Sequence, residues 1–224
     1  FLVFSILSIG VSGCFSSNPE DIKAFSRPYE KDVTAEEYIL MPPDSVTVTS
    51  SRIPELTGSS SSIGHTQQIR PDGKISFETI GEVQVAGKTP SQVAEILSKK
   101  MSELYAFNSD YPIDVRVNNR SKFYYILGMV NRPGAKIFSG RETTLSAISK
   151  AVPNVQAWEE KVQVIRPSLA LDNDPKIFNL NYKLMIEHGD MKGNVLLQEG
   201  DVIYVPPTIL ASIGLTVQEI IGPL

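Results

Sequence analysis

Cysteine is nearly absent from this chain: Cys14 is the only one in 224 residues. A single thiol excludes an intrachain disulfide framework and a thiolate metal cage. Histidine is almost as scarce. His65 and His188 lie far apart, and neither has a second imidazole at i+2 or i+4, so a catalytic metal held by the usual three protein ligands is not expected. Aromatic residues make up only 8%, with one tryptophan; Trp158 lies among charges and reads either as a platform for a sugar ring or as a cap on a core edge. An excess of positive charge is missing too. Lys and Arg number 21 against 25 Asp and Glu, a net charge of −4 with a pI near 5.3, which offers nucleic acid no general attraction. No internal run reaches the roughly 20 apolar residues of a membrane-spanning helix.

The usual signatures of catalysis are also missing. Gly81 to Thr89 looks like a phosphate-binding loop, but five residues separate its glycines where that motif has four. Val83 and Val85 alternate with polar neighbours as in a strand, and Thr89 suits a helix cap instead. The serines Ser59 to Ser62 contain no G-x-S-x-G elbow. Paired carboxylates can hydrolyse sugars, yet Glu36-Glu37 and Glu159-Glu160 are sequence neighbours and read as solvated faces. No catalytic residue, cofactor or metal site is expected, and the chain is not read as an enzyme.

What is present begins at the N-terminus. Phe1 to Val11 is the most apolar N-terminal stretch, followed by Val11-Ser12-Gly13-Cys14 and then by polar Ser16, Ser17, Asn18 and Pro19. Two small residues before a cysteine after an apolar run resemble the lipobox of bacterial lipoproteins. On that reading residues 1–13 are a signal peptide with a clipped start, and Cys14 is the lipidation site. A truncated secretory signal or the buried start of a helix is the plainer alternative. Each buried acyl methylene contributes about 0.8 kcal/mol, and more than one chain gives stable attachment. Phe15 follows the cysteine in place of the aspartate associated with inner-membrane retention in some bacteria, which favours the outer membrane.

Residues 14–35 mix Ser, Asn, Pro and charges without periodicity and read as a lipidated tether. Ser45 to Ser50 alternates around Val46 and Val48 as a strand. Thr57 to Gly64 reads as a mobile loop, and Pro71-Asp72-Gly73 between Ile69 and Ile75 as a hairpin turn. Thr89, Pro90 and Gln92 open a helix whose apolar stripe is Val93, Ile96, Leu97, Met101 and Leu104. Ile113, Val115 and Val117 predict a half-buried strand, and Phe123 to Val130 a more continuously apolar one. A short helix is expected over Leu145 to Val152, with further strands over residues 162–165, 177–180 and 202–205. Strands and helices without regular β-α-β spacing predict an α+β chain whose two domains meet near Asn119 to Lys122.

The order of several segments carries a family resemblance. Tyr38-Ile39-Leu40-Met41-Pro42-Pro43-Asp44-Ser45-Val46 is followed by Ile69 to Ile75, Ile80 to Thr89, the helix, and Val115-Arg116-Val117. Ile126-Leu127-Gly128-Met129-Val130-Asn131-Arg132-Pro133-Gly134 and Leu197-Gln198-Glu199-Gly200-Asp201-Val202-Ile203-Tyr204-Val205-Pro206 complete it. From Tyr38 to Pro206 the chain resembles the Wza-like outer-membrane polysaccharide export lipoproteins. The resemblance implies a polysaccharide export domain over 36–120 and a soluble-ligand-binding β-grasp (SLBB) domain over 121–206. Pro43 stands where the family usually has glycine, Glu78 where proline is common, and Val152-Pro153-Asn154 where a glycine pair often follows the short helix.

The C-terminal segment, 207–224, is short and amphipathic. Ile209, Leu210, Ile213, Val217, Ile220 and Ile221 share one helical face, with Ser212, Thr216 and Glu219 opposite. About 14 residues reach roughly 21 Å, short of a hydrocarbon core near 30 Å. An interfacial or subunit-packing helix is therefore the plainer reading than the family's membrane-spanning one. The resemblance implies a lipid-anchored subunit at the outer membrane, facing the periplasm. It would assemble with copies of itself into a ring, pass a capsular or extracellular polysaccharide chain, and meet an inner-membrane polysaccharide co-polymerase. The alternative is a monomeric periplasmic lipoprotein that binds a glycan or small ligand.

Overall fold

The computed structural model describes residues 18–34, 37–51, 53–57, 64–105, 113–168 and 174–221. Helices and strands are interspersed in an α+β arrangement, as the sequence pattern predicts. Buried apolar residues form two separate clusters, one built before residue 119 and one mainly after it.

In the first domain, Ser45–Thr49 (β1) is the middle strand of an antiparallel sheet. His65–Gln68 (β2) and Asp114–Asn118 (β5) flank it. Lys74–Phe77 (β3) and Gly81–Gln84 (β4) form a separate hairpin. The Pro-Asp-Gly turn forms as expected: Gly73 N–H donates to the Arg70 carbonyl at 2.8 Å, with Gly73 at φ +80°. However, it joins two sheets rather than two rungs of one, because β2 pairs with β1 and β3 with β4. A short helix, Pro54–Thr57 (α1), precedes the serine run, which lies outside the described residues.

The long helix is Pro90–Tyr105 (α2). Its start is a capping box: Gln92 N–H donates to Thr89 Oγ1 at 3.3 Å, and Thr89 N–H to Gln92 Oε1 at 3.1 Å. Val93, Leu97 and Met101 are fully buried and belong to the same core cluster as Val46, Val48 and Ile75. Leu104, assigned to the same stripe from spacing, is exposed in the last turn.

The second domain is a five-stranded sheet with a helix over one face. Phe123–Gly128 (β6) and Gly134–Ile137 (β7) form a hairpin, followed by Thr144–Ala151 (α3). Val162–Arg166 (β8), Lys176–Leu180 (β9), Tyr182–His188 (α4) and Val202–Val205 (β10) complete it. The order is β7-β6-β10-β8-β9, with β10 parallel to β6 and the other pairs antiparallel. Within the domain the strands therefore run second, first, fifth, third, fourth. β6 departs from the expected continuous apolar strand: Tyr124 and Ile126 are buried, whereas Tyr125 and Leu127 face out. The strand stops at Gly128, where φ is +93° and a Cβ would drive into the Val205 carbonyl. A final helix, Ile209–Ile221 (α5), leaves this domain beyond β10.

The segment read as a tether is docked on the second domain. Pro19–Ala24 forms a 3-10 turn capped by Asn18. Asn18 N–H donates to the Ile177 carbonyl at 3.2 Å, and Ile177 N–H donates to Asp21 Oδ2 at 3.0 Å, so the turn engages the outer edge of β9. Phe25 is only 4% exposed and meets Phe178 edge-on at 4.9 Å. Arg166 lies 3.8 Å above the Phe25 ring and donates to the Ala24 carbonyl at 3.2 Å. Its guanidinium is held by a bidentate pair with the fully buried Asp201, at 2.9 and 2.8 Å. Further on, Leu196 N–H donates to the Ser26 carbonyl, and the Thr34 hydroxyl to the Leu197 carbonyl at 2.8 Å. One buried aromatic contributes about 2–3 kcal/mol, enough to order a strap that shows no helical or strand period in its sequence. The docking of this strap therefore replaces the flexible tether at residues 18–34.

Val152 follows α3 at φ +56°, a conformation costly for a β-branched residue. Neighbouring bonds hold it there, with Asn131 N–H on the Val152 carbonyl and Val152 N–H on Ile148. Val152→Gly relieves the strain at the cost of unfolded-chain freedom, and is expected to raise stability by up to about 1 kcal/mol in urea unfolding. Phe25→Ala is expected to cost about 3 kcal/mol by the same measurement. No change in midpoint for Phe25→Ala would mean the strap is not part of the core.

Candidate functional site

The two domains meet around one carboxylate. Asp44 follows Pro42-Pro43 and is fully buried. Its Oδ2 accepts the Met41 N–H at 3.1 Å and lies 2.8 Å from the Tyr38 hydroxyl. Its Oδ1 accepts the N–H groups of Arg120 and Ser121, at 2.8 and 2.9 Å, from the segment that enters the second domain. Asn119 adds a second clasp. Its Oδ1 accepts from Ser121 and Lys122 N–H at 3.2 and 3.0 Å, and its Nδ2 donates to the Phe138 carbonyl. Burial pushes the Tyr38 phenol well above its ordinary range, and the Asp44 charge adds to the effect. The junction is thus a hydrogen-bonded joint, not a free linker.

Beside this joint lies an open cleft of about 780 Å³. Ile39, Val115 and Val117 supply apolar wall, and Lys31, Glu37, Lys122 and Glu199 its charges. Lys122 and Glu199 pair at 2.8 Å, so no single sign of charge dominates. Such a wall can admit a small polar molecule through hydrogen bonds. Ser139 also lines it, and its hydroxyl donates to Glu142 Oε1 at 2.6 Å.

The residues singled out from sequence do not converge. Cys14 and Ser59 to Ser62 lie outside the described residues. His65 sits on β2 in the first domain, 2.7 Å from the Gln67 amide and stacked near Phe77, whereas His188 is exposed at the end of α4 in the second. Among the described residues no three His, Cys, Asp or Glu side chains are grouped to hold a metal. Gly81 to Thr89 is a strand and a helix cap rather than a phosphate cradle. Glu160 is held below its usual range by a backbone hydrogen bond and by Lys183 at 3.3 Å, while burial raises its neighbour Glu159. Glu37 lines the cleft; Glu36 is outside the described residues. Trp158 is half-buried, and its backbone N–H donates to the Pro206 carbonyl at the root of α5.

Two apolar surfaces remain uncovered on the second domain. Tyr125, Leu127 and Ile137 project from the outer face of β6 and β7. Ile209, Leu210, Ile213 and Leu215 are exposed on α5, with Leu210 at 81%. Among the described residues no helix is long and apolar enough to cross a membrane. Sequence reading placed the junction near Asn119 to Lys122 but missed Asp44, whose partners Arg120 and Ser121 lie 76 and 77 residues away and leave no local pattern.

Residues 32–118 match the family model described as polysaccharide biosynthesis/export protein. The match takes in the first domain, including Tyr38 and Asp44, and stops at the joint. It supports a role for the chain in polysaccharide export.

Removing the carboxylate in Asp44→Ala strands several buried donors at once, and is expected to cost about 3 kcal/mol or more and to split unfolding into two transitions. A single transition at the wild-type midpoint would contradict the joint. At high pH the buried phenols set the limit: burial, with Glu142 nearby, pushes Tyr124 up from 10.0 to about 12. A raised phenol stabilises the fold fully below the unfolded pKa of 10.0, and that contribution is lost as pH rises through about 12. Tyr124→Phe is expected to lessen the loss of stability across this window in denaturant titrations. An unchanged alkaline limb would contradict it.

Proposed function

We propose, on the premise that residues 32–118 belong to the polysaccharide biosynthesis/export family, that this chain is a lipid-anchored, ring-forming subunit of an outer-membrane translocon. It passes capsular or extracellular polysaccharide and faces the periplasm. The family match over the first domain carries the reading.

The second domain reads as an SLBB β-grasp domain. Its strand order, with α3 between the second and third strands, supports that assignment. The uncovered apolar surfaces at Tyr125, Leu127 and Ile137, and along α5, suit contacts between neighbouring copies in a closing ring. A conduit asks for walls that wet a polymer without trapping it, and the mixed, charge-balanced surface at the joint is of that kind. On this reading the protein is not a catalyst. Cys14 carries the acyl anchor, α5 packs at a subunit or bilayer interface, and an inner-membrane polysaccharide co-polymerase supplies the chain.

The cleft beside Tyr38 favours a second reading, a monomeric periplasmic lipoprotein that binds a glycan or small ligand there. Titration calorimetry with oligosaccharide fragments separates the two, since only the second requires saturable affinity.

Deleting the gene is expected to abolish surface polysaccharide while glycan accumulates inside. Electron microscopy of the acylated protein in detergent is expected to show rings. Lone subunits from cells that remain normally coated would overturn the translocon. Cys14→Ser is expected to release the protein from the membrane fraction, and undiminished retention would count against the anchor.

A further inference from the structure

A lipid anchor holds whatever the chain beyond it is fixed to. A flexible linker of about 20 residues would leave its cargo roughly 25 Å away on average and free to tumble. Residues 18–34 do not provide one. Asn18, four residues after Cys14, is already bonded to Ile177 on β9, so Cys14 lies at most about 14 Å from that point. The strap then stays on the second domain through Asp21, Ala24, Phe25, Ser26 and Thr34 before entering the first domain at Tyr38.

We propose that residues 18–26 act as a strap that transfers the acyl anchor to the second domain, so that a bilayer surface lies against its β9 side. This rests on the reading of Cys14 as acylated. The occupant of that side is a lipid surface, because the length of chain from Cys14 to Asn18 permits nothing more remote. Arg166 is the clamp. It covers the Phe25 ring, bonds the Ala24 carbonyl, and is itself fixed by Asp201 from the opposite side. Pull on the anchor is thus delivered to β8 and, through Asp201, to the start of β10 at the middle of the sheet. The strap bonds described before Tyr38 all fall on the second domain, so on this proposal the first domain stands off from the lipid. The second domain also bears α5, whose exposed Ile209, Leu210 and Ile213 give it a further apolar element.

The test uses the full chain, purified with its acyl groups and reconstituted into phosphatidylethanolamine–phosphatidylglycerol vesicles carrying nickel-chelating headgroups. Spin labels are placed at Asp174→Cys, just before β9, and at Lys99→Cys, exposed on α2. Nickel is expected to broaden the label at 174 more than the label at 99. Phe25→Ala, with folding checked by circular dichroism, is expected to remove most of that difference. Where Phe25→Ala fails to fold, Asp21→Ala, which loses the bond from Ile177 N–H and the ion pair with Lys176 at 3.9 Å, is expected to reduce it. Equal broadening at both sites in acylated wild-type protein, or a difference unaffected by the strap variant, would overturn the proposal while leaving the anchor intact. Mass spectrometry showing an unmodified Cys14 would overturn the anchor beneath it, and the proposal with it.

Discussion

One buried carboxylate joins the two halves of this molecule. Asp44 is held by hydrogen-bond donors from both sides of the junction, two of them backbone N–H groups of Arg120 and Ser121. A carboxylate buried with several charge-assisted hydrogen bonds is tolerated where an unpaired one would not be. Because these donors come from the stretch that leads into β6, the direction in which the second domain leaves the first is set by Asp44 and Asn119. The two cores become coupled through this joint.

A second connection runs in the opposite sense. The N-terminal strap packs on the second domain before the chain builds the first, so the second domain is gripped from both directions in sequence. Arg166 and Asp201 make this possible. The pair is largely buried, and breaking such a pair is more costly than its net contribution suggests, since the remaining charge would be left unmatched. Joint and strap together favour a chain that behaves as one body.

Apolar side chains remain exposed on the second domain. Residues on the inner face of the five-stranded sheet are committed to the core, while Tyr125, Leu127 and Ile137 remain outside it. α5 likewise carries apolar side chains that nothing in the single chain covers. Contiguous exposed apolar groups on a soluble domain mark contact surfaces.

Much was legible along the chain because it is local. The Thr89–Gln92 capping box and the Val93, Leu97, Met101 stripe depend on spacings of three and four residues, and they form as read. The α+β class follows from the same periodicities. Signals of similar reach were overlooked: Asn181 caps α4 and Gly189 ends it in the left-handed conformation, a recognisable pair of boundaries. What sequence could not decide was which distant partner each group would meet. Nothing near Phe25 announces Phe178 and Arg166, and nothing near Asp44 announces Arg120 and Ser121. Composition and short-range pattern determined the elements and the place where the two domains meet; the tertiary structure alone decided that a supposed leash is a strap and that the meeting point is a hydrogen-bonded joint. The reason is physical: periodicity reports which face of an element is apolar, but a single aromatic or carboxylate acquires its role only when folding supplies the donors and rings around it.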